Sequence, residues 1–137
     1  MWFLYAICSA FFAALTAIFA KIGIQGVDSN LATAIRTVVI LLLAWTIVLF
    51  SGTFRQIPSL PHKTWTFLVL SGLATGASWL FYFKAMQMGD VSRVAPVDKF
   101  SIVLTIILAF VVLQEVPTTK SILGGILISL GVLIMAL

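Results

Sequence analysis

Apolar residues in this chain come in long blocks, and polar residues fall into the short gaps between them. Charge-free runs cover residues 1–20, 37–54, 64–83 and 121–137, and a shorter one covers 100–114. A helix rises about 1.5 Å per residue, so about 20 residues cross a hydrocarbon core about 30 Å thick. Four runs have that length or nearly so. The fifth does not, unless its helix starts just after Arg93 and ends just before Glu115, which places Asp98 and Lys99 inside it. Such a helix still inserts. Residues 100–114 hold eleven Leu, Ile, Val and Phe residues, worth roughly −3 to −7 kcal/mol, against roughly +2.5 to +3.5 kcal/mol for a central charge and less for one off centre. The pattern therefore predicts an all-α integral membrane protein with five transmembrane helices, over about 2–23, 31–52, 64–87, 93–114 and 119–137.

The gaps agree with that count. QGVDSN offers Ser29 or Asn30 as a helix N-cap, MGDVS offers Asp90 or Ser92, and QEVPTT breaks at Pro117 and restarts at Thr118 or Thr119. SGTFRQIPSLPHK, residues 51–63, carries two prolines. All four connections are short, so the work of the 137 residues is expected within the bilayer.

Composition narrows the class. With 62% hydrophobic and 9% charged residues and a mean hydropathy of +1.21, the chain is not a soluble domain. The net charge of +4 comes from basic residues scattered singly, not from a dense cluster that tracks phosphates, so no nucleic-acid partner is expected. Residues 1–20 lack the basic start of a cleavable signal, and the first span is expected to remain in the mature protein. Cys8 is the sole cysteine and His62 the sole histidine, and they are far apart in sequence. No disulfide, metal site or cofactor is expected from them. An intramembrane enzyme needs a nucleophile with a base, a metal pair or two inward carboxylates. None is evident, and the expectation is not an enzyme.

Polar groups inside spans are the informative ones, because lipid makes them costly. Asp98, Ser101 and Thr105 recur at i, i+3 and i+7 and share one helical face. Gly72, Thr75, Trp79, Tyr82 and Met86 mark a face of the third span, and Ser9, Phe12 and Thr16 one of the first. These stripes fit either a cavity wall or plain interhelical packing, and Trp79 and Tyr82 fit interfacial anchoring as well. Near the span ends, Lys21, Lys84 and Arg93 fit snorkelling. Arg36 and Lys99 sit deeper, and Asp98 is the one carboxylate well inside a span. In the last span Gly125 and Ser129 stand at small-xxx-small spacing, with Gly124 and Gly131 a heptad apart, which licenses close helix contact within the chain or with another subunit.

The run from Tyr82 and Ala85 through GDVSRVAPVDKFSIVLTIILAFVVLQEVPTTKSILGGILISLGVLI resembles the closing half of an EamA-type module of the drug/metabolite transporter superfamily. Ala95 and Pro96 open a span in that pattern, Glu115 follows it, and Gly124 and Gly131 belong to the closing glycine-rich span. The opening, with Lys21 ending the first span and Arg36 early in the second, looks like the family's first two spans. The resemblance implies a single EamA-like transmembrane domain over 1–137, one half of a ten-helix inverted-repeat transporter assembly. Typical members carry two modules where this chain has one, and the first-span glutamate of the related small multidrug exporters is absent here.

What the resemblance implies is a transporter in a bacterial or archaeal cytoplasmic membrane. Its substrate is a small polar or amphipathic metabolite, moved mostly outward, coupled to protons or to exchange. Asp98 is then the proton or cation group, with Lys99 and Arg36 as its charge partners or as the anchor of an acidic substrate. Thr75, Trp79, Tyr82, Ser101 and Thr105 line the cavity. An odd span count inverts a second module automatically when two are fused, whereas separate chains must insert both ways. The basic residues allow that, since Lys21, Lys84 and Arg93 on one side match Arg55, Lys63 and Lys120 on the other. An antiparallel homodimer of dual topology is expected, with Gly124, Gly125, Ser129 and Gly131 packing helices or subunits. A structural membrane subunit, half of a heteromeric transporter and a lipid flippase remain the alternatives.

Overall fold

The computed structural model describes residues 1–137, and the protein is all helical. Its elements are α1 (Trp2–Gly23), α2 (Ser29–Ser51), a 3₁₀ turn (Thr53–Ser59), α3 (His62–Met88), α4 (Val91–Asp98), α5 (Ser101–Leu113) and α6 (Thr119–Ala136). Five stretches are long and apolar enough to cross a membrane: α1, α2, α3, α4 with α5 (Val91–Leu113), and α6.

Helix ends follow local chemistry. The Asp28 carboxylate caps α2 by accepting from the Asn30 and Leu31 N–H groups at 2.9 and 3.2 Å. It takes the role expected of Ser29 or Asn30, and the helix starts at Ser29 for that reason. Gly52, at φ 70°, ends α2 in the left-handed region that a Cβ would disfavour. Asp90 holds the cap position of α4 without a side-chain bond, whereas the Thr118 hydroxyl accepts from the Ser121 N–H at 3.2 Å and starts α6.

The fourth span departs from the continuous helix expected over 93–114. Pro96 lies inside α4, and the regular helix is interrupted at Lys99 and Phe100. Proline has no N–H to donate to the fourth residue back, and its ring crowds that carbonyl. Downstream, the Lys99, Phe100, Ile102 and Val103 N–H groups bond the carbonyls of Pro96, Val97, Lys99 and Phe100, each at 3.0 Å. These are three-residue closures. The backbone tightens locally at the junction of α4 and the first turn of α5, where the wider bond from the Leu104 N–H to the Phe100 carbonyl is 3.4 Å.

The helices group into two compact units, Ala20–Gln87 and a second made of Met1–Phe19 with Met88–Leu137. In the Ala20–Gln87 unit the buried residues are Ala20, Ile24, Ser29, Thr33, Phe83 and Met86. They belong to the last turn of α1 and its exit, the first turns of α2 and the last turns of α3. Two long polar side chains fasten this end. The Lys21 ammonium donates to the Met86 carbonyl at 2.6 Å, and the Gln87 amide donates to the Val27 carbonyl at 2.6 Å. The Met86 carbonyl is one of the last four of α3, which have no partner within their own helix. In the other unit α6 packs on α4 and α5. Gly125 and Val132 are buried there, and a Cβ on Gly125 would stand 3.6 Å from Ile106 Cδ1.

Candidate functional site

Arg36 is the eighth residue of α2, about 10 Å along the helix from its start. Its guanidinium carbon lies 3.3 Å from the centroid of the Trp79 ring and 5.4 Å from that of Phe83. At 3.3 Å an edge-on approach would drive an amino nitrogen into the ring, so the guanidinium lies flat on the indole. The rings come from one face of α3, since positions 79, 82 and 83 are spaced i, i+3 and i+4. Trp79 meets Tyr82 edge to face at 5.5 Å and Phe83 at 5.8 Å, which fixes the platform. Phe83 is almost wholly buried behind it. A cation so placed gains about 2 kcal/mol when desolvated.

No carboxylate pairs with Arg36, whose electrostatic neighbour is the Tyr82 phenol. The one carboxylate of its unit, Asp28, is occupied by the α2 cap. The hydroxyls three residues before and one after are occupied too, Thr33 bonding the Ser29 carbonyl and Thr37 the Thr33 carbonyl, each at 2.8 Å.

Asp98 and Lys99 lie in the other unit, at the interruption of the fourth span. Lys99 Nζ stands 3.2 Å from Asp98 Oδ2, with side chains 54% and 35% exposed. Adjacent residues, half open to their surroundings, form an ion pair that is easily parted. Ser101 and Thr105 are exposed on α5, and the Thr105 hydroxyl donates to the Ser101 carbonyl at 2.8 Å. Thr75 does likewise to Ser71 at 2.8 Å. Of the residues proposed from sequence, Arg36, Trp79 and Tyr82 converge in one unit, and Asp98 and Lys99 pair in the other. The Thr75 and Thr105 hydroxyls bond carbonyls of their own helices.

Gly125 and Ser129 line an apolar groove of about 300 Å³ with Val103, Ile106, Phe110 and Ile126. Gly124 and Gly131 have no atom within 4 Å of where a Cβ would stand. Phe83 escaped the sequence reading, although its spacing from Trp79 and Met86 put it on the same face. No three of the His, Cys, Asp and Glu side chains gather at one place.

Charges thus stand at an interrupted point of one membrane-length stretch and at a ring-lined point of another. The family model for EamA-like transporters matches residues 1–137, and the chain belongs to that family. It is 49% identical over 135 residues to a Sinorhizobium sp protein named "Uncharacterized transporter in cobO 3'region", an alignment covering 98% of this chain and 96% of the relative. No solved structure matches the chain.

Proposed function

We propose that two copies of this protein, inserted in opposite directions, form a ten-helix exporter of a small polar or amphipathic metabolite in a bacterial or archaeal cytoplasmic membrane. The observation that carries the reading is the fourth span, interrupted beside the acid–base pair Asp98–Lys99. Irregular backbone at membrane depth is tolerated where it lines a wet cavity or is enclosed by protein, and interrupted helices form the ion and substrate sites of many secondary transporters. Asp98 takes up and releases the coupling proton. Protonation removes the counter-charge of Lys99, and the tightened segment between Pro96 and Val103 is the part of the span with the weakest ladder to hold it in one shape. Alternating access needs two inverted repeats, and a closed twofold dimer with its axis in the membrane plane supplies them.

The test uses the purified protein in proteoliposomes with an interior pH dye. A metabolite pulse should alkalinise or acidify the lumen, Asp98→Asn should abolish the signal, and Asp28→Asn should leave it. Normal flux in Asp98→Asn with early unfolding would make the pair structural and end the assignment. Orientation is read in a Cys8→Ser background with a cysteine replacing Ser59: labelling of intact cells from both faces is expected, and labelling from one face alone excludes the antiparallel dimer.

A further inference from the structure

Arg36 carries a full positive charge inside a membrane span, with the Tyr82 phenol as its electrostatic neighbour and no carboxylate bonded to its donors. The guanidinium has five N–H groups in one plane, and the flat stack on Trp79 turns that plane parallel to the indole. Its rim therefore points sideways, away from the ring. Asp28, the one carboxylate of the unit, caps α2, and the Lys21 ammonium is engaged with the Met86 carbonyl. No side-chain nitrogen in the protein is both sealed from its surroundings and unpaired, so the donors of Arg36 open onto accessible space. A fork of parallel donors held on a fixed platform matches a carboxylate in two-point contact. One cation balances one negative charge. The walls beside it, Trp79, Tyr82 and Phe83, are aromatic.

We propose that Arg36 on its Trp79 platform binds the carboxylate of an organic monoanion with an apolar or aromatic body, and that such monocarboxylates are the class this protein moves. The assignment of cargo rests on the transport reading above, whereas the anion site stands on the geometry alone. A positively charged amine is excluded by like charge, and an uncharged amide of the same shape forgoes the ionic contact. A lipid phosphate offers related oxyanion chemistry, and the experiment separates it from a dissolved solute.

Trp2, Trp45 and Trp65 replaced by Phe leave Trp79 as the sole indole of the four, reporting on the platform itself. In nanodiscs of phosphatidylcholine, benzoate should change its emission saturably, with benzamide and benzylamine at least about tenfold weaker. Arg36→Lys keeps the charge and the fold but loses the planar fork, and should weaken benzoate about tenfold or more with unchanged circular dichroism. Equal affinity for benzoate and benzamide, or undiminished affinity in Arg36→Lys, overturns the proposal. So does loss of benzoate binding when part of the lipid is replaced by phosphatidylglycerol, which would assign the fork to a lipid phosphate. Uptake of labelled benzoate into proteoliposomes separates the two readings. Benzoate bound but not moved leaves the anion site and removes monocarboxylates as the cargo. Asp98-dependent movement of other solutes without benzoate binding removes the anion site and leaves transport.

Discussion

Arg36 and the Asp98–Lys99 pair are both charges about 10 Å into a span, yet the protein holds them in opposite ways. Arg36 lies on a ring stack backed by Phe83, one of the two most deeply buried side chains. Asp98 and Lys99 hold only each other, at an interruption where the backbone has tightened after Pro96. Rigid support suits a group that must recognise one shape. Loose support suits a group that must change its charge and its backbone. The difference teaches that intramembrane charge is not one signal: its surroundings decide whether it reads as an anchor or as a moving part.

The contrast breaks most severely if the platform is not rigid. Phe83→Ala should destabilise the fold by about 3 kcal/mol. Lipid is as apolar as the core, so the loss comes from the cavity and the forgone packing more than from transfer. Phe81→Ala, two residues earlier and exposed, should stay within about 0.5 kcal/mol. Detergent-driven unfolding followed by circular dichroism measures both. Equal effects would mean that the Arg36 end is no better packed than the rest of α3.

Next in size is the polar fastening. Lys21→Met removes a charged donor from the Met86 carbonyl at the end of α3 and should cost about 2 kcal/mol, and Gln87→Leu about 1 kcal/mol by losing the bond to Val27. The same unfolding titration reads them, and faster amide exchange over the last turn of α3 should accompany the first. A neutral Lys21→Met would show that this carbonyl finds water instead.

Sequence alone reached the spans because lipid leaves a length signal in every charge-free run, and it singled out Arg36, Trp79 and Tyr82, which the fold brings together, because polar groups inside a span are costly. It read the fourth span as one helix because fifteen apolar residues outweigh a single proline in any window, although the missing N–H of Pro96 removes the helix bond to the Ser92 carbonyl four residues back. A hydroxyl on a helix has a carbonyl of its own one turn back, and Thr75 and Thr105 each use it, a bond that the polar stripe in the sequence does not announce. The Lys21 and Gln87 bonds join residues 60 or more apart in sequence, and no local pattern encodes such a pairing.

A smaller effect, of opposite sign, sharpens the loose side of the comparison. Pro96→Ala restores an N–H that can bond the Ser92 carbonyl, so α4 and α5 should approach one continuous helix. Stability should rise by about 1 kcal/mol, below the full helix-interior proline cost because the span has already relaxed around it. Flux should fall. A variant that gains stability and keeps full transport would show that the interruption is not needed for movement.

The smallest effect within one protomer is expected at Gly131, and it bears on what covers α6. Gly125→Leu meets Ile106 at once and should cost about 1–3 kcal/mol by overpacking. Gly131→Leu meets nothing within 4 Å and should leave the protomer's unfolding within about 0.5 kcal/mol of the parent. Two glycines on one helix thus separate by their own chain's packing. Should the antiparallel dimer proposed above use the open face of α6, Gly131→Leu will still obstruct close approach of a second copy. Crosslinking of the reconstituted protein would then show monomer where the parent shows dimer, with no change in the unfolding curve. Dimer retained in Gly131→Leu moves the subunit contact off this face. Dimer lost together with early unfolding would show instead that Gly131 is buried by its own chain.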